Sequence, residues 1–201
     1  SVGREVCVHP VSGEIIATGA TAKAWRLKGL NEAFRLSARD FANTCFWGSD
    51  DLVFAHGKNT GIDLIDLHDE DAQSHPLWRS ADKNARIVTS SMNGSMAAVA
   101  SSSKAGSDIQ LLRREKNRVE ELRHLTAPGG LLFMHFNPSG ERLLVRAASA
   151  FYVIDAGSGH STTILWDKSF AVREAEWVGA SPRIIALLAA KTSRRDRKSV
   201  V

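Results

Sequence analysis

Short runs of alternating apolar and polar residues, broken by Asn, Pro, Ser and Gly, recur along this chain. The clearest copy runs from Leu132 to Val145. It reads Leu-Phe-Met-His-Phe, then Asn137-Pro138-Ser139-Gly140, then Glu-Arg-Leu-Leu-Val. That pattern predicts a strand, a tight turn and a second strand. An earlier copy runs from Val6 to Ala17 and turns through His9-Pro10-Val11-Ser12-Gly13. Comparable turns fall at Gly48 to Asp51, Asn93-Gly94 and Gly179 to Pro182. Their chemistry suits turns, because Asn and Gly tolerate positive φ and Pro presets φ near −65°.

The turns are evenly spaced. Gly13 to Asp51 is 38 residues, Asp51 to Gly94 is 43, and Gly94 to Gly140 is 46. Such a period suits four-stranded blades of about 40–45 residues. The expected fold is therefore all-β, a β-propeller of four-stranded antiparallel blades with about four and a half blades present. The blades are expected at about 1–42, 43–84, 85–128, 129–170 and, in part, 171–191. A basic tail, or the start of a next strand, follows at 192–201. Blade two reads as Asn43 to Trp47, Asp51 to His56, Ile62 to Leu67, and Pro76 to Arg79. Blade three is ambiguous between Ile109 and Leu122, where Ile109, Leu112, Val119 and Leu122 could share a helical face. The rival is a hairpin turning at Lys116-Asn117, which the repeat favours. A seven-blade ring would need roughly 280–300 residues at this period. Further blades are therefore expected from additional sequence or another chain.

Composition narrows the function classes. Apolar residues make up 43% of the chain and charged residues 24%, an ordinary globular balance. Lys191, Arg194, Arg195, Arg197 and Lys198 stand against Asp196 alone, which accounts for the whole net charge of +4. The body is thus near neutral and does not read as a nucleic-acid surface. Two cysteines, Cys7 and Cys45, make no disulfide framework. A reducing, intracellular setting in cytoplasm or nucleus is expected. No apolar run approaches the eighteen or so residues of a membrane span, so no membrane contact is expected.

The repeats resemble those of the WD40 type. The segments His9 to Gly13 and Phe136 to Gly140 are similar to that family's first-strand turn. Its third strands often end in Trp-Asp, and the matching dipeptides are Trp25-Arg26, Ile65-Asp66, Leu112-Arg113 and Ile154-Asp155. None is a complete Trp-Asp. The family's Gly-His is absent before the first strand; Gly159-His160 and Trp166-Asp167 fall elsewhere in the repeat. The divergent copies look similar to the C-terminal propellers of fungal NACHT-type signalling ATPases, and equally to propeller subunits of ribosome-assembly particles. Either resemblance implies a recognition scaffold for protein partners rather than an enzyme.

No residue pattern argues for catalysis, a metal or a cofactor. The acidic run Asp66 to Asp71 lacks the spacing of a calcium loop. Cys7, His9 and Cys45 make at most three zinc ligands where four are wanted. Gly157-Ser158-Gly159 reads as a turn between strands, not a nucleophile elbow. There is no Gly-rich phosphate loop ending in Lys and Ser or Thr. Repeat position singles out His9, Trp47, Asp50, Asn93, Asn137 and Trp177 as partner-binding candidates. Trp47 and Trp177 share a place at an inner-strand end, where core packing is the commoner fate and an interface anchor the sharper reading. The alternative is RNA binding in a ribonucleoprotein particle, through Arg113, Arg114, Lys116 and Arg118 with Arg194, Arg195, Arg197 and Lys198 of the tail. No aromatic platform accompanies that tail.

Overall fold

A computed structural model describes residues 5–8, 15–18, 24–28, 32–36, 44–48, 52–57, 61–66, 76–103, 105–115, 118–147, 150–165, 170–179 and 183–190. Every regular element among them is a β-strand. The first sheet holds β1 (Glu5–Val8), β2 (Ile15–Thr18), β3 (Ala24–Lys28) and β4 (Glu32–Leu36). The second holds β5 (Thr44–Phe46), β6 (Leu52–Gly57), β7 (Gly61–Asp66) and β8 (Trp78–Arg79). The third holds β9 (Ala85–Ser90), β10 (Met96–Ser102), β11 (Gly106–Glu115) and β12 (Arg118–Pro128). The fourth holds β13 (Leu131–Phe136), β14 (Arg142–Ala147), β15 (Ala150–Asp155) and β16 (Ser161–Leu165). A two-stranded sheet of β17 (Phe170–Trp177) and β18 (Ile184–Ala190) follows. Each sheet is an antiparallel meander, and the first strands β1, β5, β9 and β13 are successive neighbours. This is the arrangement of propeller blades, with first strands innermost.

Blade three forms the hairpin, not the helix. Leu112 pairs with Glu121 and Glu115 with Arg118 across β11 and β12. The apolar residues that could share a helical face are used differently: Ile109 and Leu112 are buried, while Val119 and Leu122 only partly pack. Sheet packing against the neighbouring blades overrides the local helix preference.

Apolar layers lie between blades. Trp47, Phe54, Ile62 and Leu64 of blade two meet Ala97, Val99 and Leu112 of blade three. Ala98, Ile109 and Leu111 meet Met134, Leu143 and Val145 of blade four. Leu144 and Phe151 meet Ala175, Trp177 and Ile184 of blade five. Adjacent residues of one strand thus serve opposite interfaces: Ala97 faces backward and Ala98 forward, as strand alternation requires. Burying each large aliphatic side chain contributes about 1.5–3 kcal/mol. Large residues oppose small ones at the first interface, which lets the sheets approach. Buried Asp63 of β7 is held by Arg79 of β8 through two hydrogen bonds, from Nε at 2.8 Å and Nη2 at 3.2 Å.

Candidate functional site

The turns from first to second strand sit at one end of the blades, and their backbone repeats. Trp47 N donates to Leu52 O, Ser91 N to Met96 O, Asn137 N to Arg142 O, and Val178 N to Arg183 O, all at 2.9 Å. Trp47, Ser91, Asn137 and Val178 are therefore equivalent positions. This corrects one expectation. Trp177 pairs with Ile184 as Phe46 pairs with Val53, so its counterpart is Phe46 and not Trp47. The one-residue difference puts the two indoles on opposite sides of their strands. A second correction concerns blade one. Ile15, the counterpart of Leu143, pairs with Leu27, so the dipeptide matching Ile154-Asp155 is Leu27-Lys28, not Trp25-Arg26.

Side chains at the shared turn position do one job in two blades. Ser91 Oγ accepts from Met96 N at 3.0 Å, and Asn137 Oδ1 accepts from Arg142 N at 2.9 Å. Trp47 offers no acceptor. It is fully buried, stacked on Phe54 with ring centroids 4.9 Å apart. Its Nε1 has no hydrogen-bond partner among the described residues. Trp47 and the buried Asn137 thus serve core and turn, and neither offers surface to a partner.

Neighbouring turns are locked together. Gly48 and Gly94 both have positive φ, 65° and 68°. A Cβ on Gly48 would lie 2.3 Å from Gly94 Cα, so the two turns touch backbone to backbone. Asn93 links the next pair. Its Oδ1 accepts from Ser91 Oγ at 2.7 Å and Ser95 N at 3.1 Å, while its Nδ2 donates to Ser139 O at 2.7 Å. Ser90 Oγ donates to Phe46 O, and Trp177 Nε1 donates to His135 O at 3.0 Å. Asn93 and the half-buried Trp177 are therefore ties between blades. His9, Asp50, Lys116 and the tail cations Arg194, Arg195, Arg197 and Lys198 lie outside the described residues, as do residues 67–71 of the acidic run. The side chains of Cys7 and Cys45 are likewise not described, although their strands are neighbours.

This end also exposes apolar surface that the turn pattern did not reveal. Met92, in the blade-three turn, is 66% exposed, and Leu77, at the entry to β8, is 55% exposed. Val178, just past β17 at the turn position equivalent to Ser91, is exposed too. The cations on the β11–β12 hairpin do not form one patch. Arg113 Nη2 pairs with Glu120 at 2.8 Å and Glu115 at 3.1 Å. Arg114 and Arg118 instead line a groove between blades two and three.

The opposite end carries a cleft of about 610 Å³, bordered by Asp82, Asp108 and four serines. Its hydroxyls hold the fold. Ser102 Oγ accepts from Leu131 N at 2.8 Å, and Ser107 Oγ donates to Gly129 O at 2.9 Å. Ser103 Oγ donates to Gly106 O at 2.8 Å. The hydrogen bond from Ser101, with another from Asn84 N, holds the Asp82 carboxyl below its ordinary value. On outer strand β12, His124 contacts Glu121 and lies 3.5 Å from Asp108. Among the described residues no His, Cys, Asp and Glu group has metal-binding geometry.

No family model matches this chain, and no curated protein matches it in sequence. Solved structures do. One described as the Dos1 propeller superposes with a TM-score of 0.70 at 11% identity, covering 90% of this chain and 53% of that one. Hydrazine synthase of Kuenenia stuttgartiensis superposes with a TM-score of 0.61 at 14% identity, covering 86% and 51%. At such identities the likeness shows the fold alone, and the chain spans about half the length of these structures. The chain is thus an all-β protein whose four-stranded blades match part of a propeller.

Proposed function

We propose that this chain is a non-enzymatic recognition scaffold of the WD40 type, binding protein partners at the end that carries its first turns. One observation supports this most: Met92 is exposed on a turn whose backbone is pinned between blades, and Leu77 is exposed at the same end. Rigid turns present side chains with little ordering entropy to lose on binding. Large apolar side chains ringed by polar groups are what interface anchors require. The exposed outer face of blade five suits a further blade, supplied by additional sequence or another chain.

The reading is tested by proximity labelling in cells that express the protein. Met92→Asp should remove a set of labelled proteins, whereas Leu132→Asp should not. Leu132 is also exposed but is the second residue of β13, toward the opposite end. Equal labelling by both variants would overturn the assignment of this face. RNA association through Arg113, Arg114 and Arg118 is the lesser reading, because Arg113 is already neutralised by Glu115 and Glu120.

A further inference from the structure

We infer that Met92 is an oxidation switch. A peroxide converts its thioether to the sulfoxide, and the polar group so formed turns off docking at the end that carries the first turns. This rests on the scaffold reading and gives that surface its regulation.

Exposure singles out the sulfur. The chain has three methionines. Met92 is 66% exposed, whereas Met96 and Met134 are 7% and 3% exposed. The latter two lie in the apolar layer between blades three and four. A peroxide reaches a buried methionine only when the blades open, and it meets Met92 in the native state.

The turn itself does not call for a methionine. Gly94 N donates to Ser91 O at 3.0 Å, which leaves Met92 and Asn93 as the two central residues. The residues that follow Trp47, Ser91, Asn137 and Val178 at this shared position are Gly48, Met92, Pro138 and Gly179. Blades two, four and five thus place Gly or Pro there, and blade three extends a flexible thioether. The backbone beside it is fixed twice, by the contact of Gly94 with Gly48 and by the bond from Asn93 Nδ2 to Ser139 O at 2.7 Å. A change at the sulfur is therefore felt by a partner and not by the fold.

The chemistry is a two-electron oxidation. The thioether sulfur gives an electron pair to one oxygen of hydrogen peroxide. An S–O bond forms, the O–O bond breaks, and the other oxygen leaves as water with both peroxide protons. Thiol-dependent reductases reverse the step: the sulfoxide oxygen leaves as water while two thiols become a disulfide. An apolar anchor thereby becomes a side chain whose new acceptor must be stripped of water when a partner covers it. That loss should weaken docking about fivefold or more.

The test has a chemical arm and a cellular arm. The 201-residue chain is treated with hydrogen peroxide, then with a thiol that returns oxidised cysteines to their reduced form, and is digested for mass spectrometry. Met92 should gain one oxygen at least about tenfold faster than Met96 and Met134. The melting temperature should not change, and a methionine sulfoxide reductase should remove the oxygen. Equal rates at all three methionines, or a lowered melting temperature on oxidation of Met92 alone, would overturn the inference. In cells, the chain is fused to a biotin ligase and its neighbours are labelled before and after a peroxide pulse. Labelling by the wild type should fall about fivefold and recover as the reductase acts. Met92→Leu should lose far less of its own labelling in the same pulse. Met92→Gln, which carries a carbonyl near the sulfur position, should label weakly without any peroxide. Full labelling while Met92 carries its oxygen, or an equal loss from Met92→Leu, would overturn the switch and leave the scaffold reading standing. Identical labelling by wild type and Met92→Asp would overturn both, since no partner would then touch this residue.

Discussion

Ile185 occupies in blade five the register position that Leu144 holds in blade four. Each directly follows the second-strand member of its blade's turn-closing pair, Trp177 with Ile184 and Phe136 with Leu143. Leu144 is 0% exposed because blade five covers it, whereas Ile185 is 67% exposed. Leu187, two residues along the same face, is exposed too. Blade five therefore presents, uncovered, the kind of surface that the interfaces from blade two to blade five bury, and no strand pairs with β18 beyond β17 among the described residues. Uncovered apolar faces and open edges drive association. The chain should accordingly self-associate with rising concentration in sedimentation velocity. Ile185→Lys with Leu187→Lys should yield monomers without lowering the melting temperature. A wild-type chain that stays monomeric throughout would refute this.

The Gly48–Gly94 contact makes a sharper stability prediction. A Cβ at position 48 meets backbone 2.3 Å away and sits at a φ of 65°. Left-handed backbone costs about 1–2 kcal/mol for a non-glycine residue, and overpacking about 1–3 kcal/mol more. Gly48→Ala should therefore destabilise by about 2–5 kcal/mol in urea titration. Gly129→Ala serves as a control, since its φ is positive but nothing lies within 4 Å of an added Cβ. It should show only the backbone part.

Asn93 allows the turn and the tie between blades to be separated. Asn93→Asp keeps an acceptor for Ser91 and Ser95 but removes the donor to Ser139 O. It also sets a carboxylate against a carbonyl. Asn93→Ala removes both functions. The expected losses are about 1 kcal/mol or more for Asp and about 2–3 kcal/mol for Ala. Amide exchange should rise at the turns of both blades three and four in either variant. Exchange confined to blade three would show that the tie carries no coupling.

Among the described residues, His135 and Asp155 join Asp82 in shaping the pH response. Partial burial pushes the imidazole of His135, whose side chain still reaches solvent, below its ordinary value of 6.5, opposed in part by Glu176. The folded protein thus binds that proton less readily than the unfolded chain. Stability should hold above pH 6.5 and fall as pH drops toward the lower folded value. His135→Gln should flatten that part of the profile. Asp155 is held below its ordinary value chiefly by the hydrogen bond from Ser158 N, at 2.7 Å, and next by Ser158 Oγ. Its contribution should persist above ordinary carboxylate pH and vanish only in stronger acid, with Asp155→Asn insensitive there.

Local pattern carried far in this chain. The strand beginnings, the turn chemistry at Asn137 to Gly140, and the fourfold meander are all local properties, so alternation and turn residues express them without knowledge of the rest. The blade-three hairpin was within reach for the same reason, although its helix formers competed. Trp47 shows the limit. Its role turns on a one-residue register difference from Trp177, and strand alternation converts that single step into opposite sides of a sheet.

By itself, then, the sequence determined an all-β chain of repeated four-stranded units, because period and turn chemistry are written in neighbouring residues. Only the tertiary structure decided which surfaces are free. The Gly48–Gly94 contact, the bond from Asn93 to Ser139, the groove walled by Leu52, Leu77 and Val119, and the bare face of Ile185 all join residues far apart in sequence or depend on what packs beside them. Burial is a property of neighbours in space, and a linear pattern names the apolar side chain without naming what covers it.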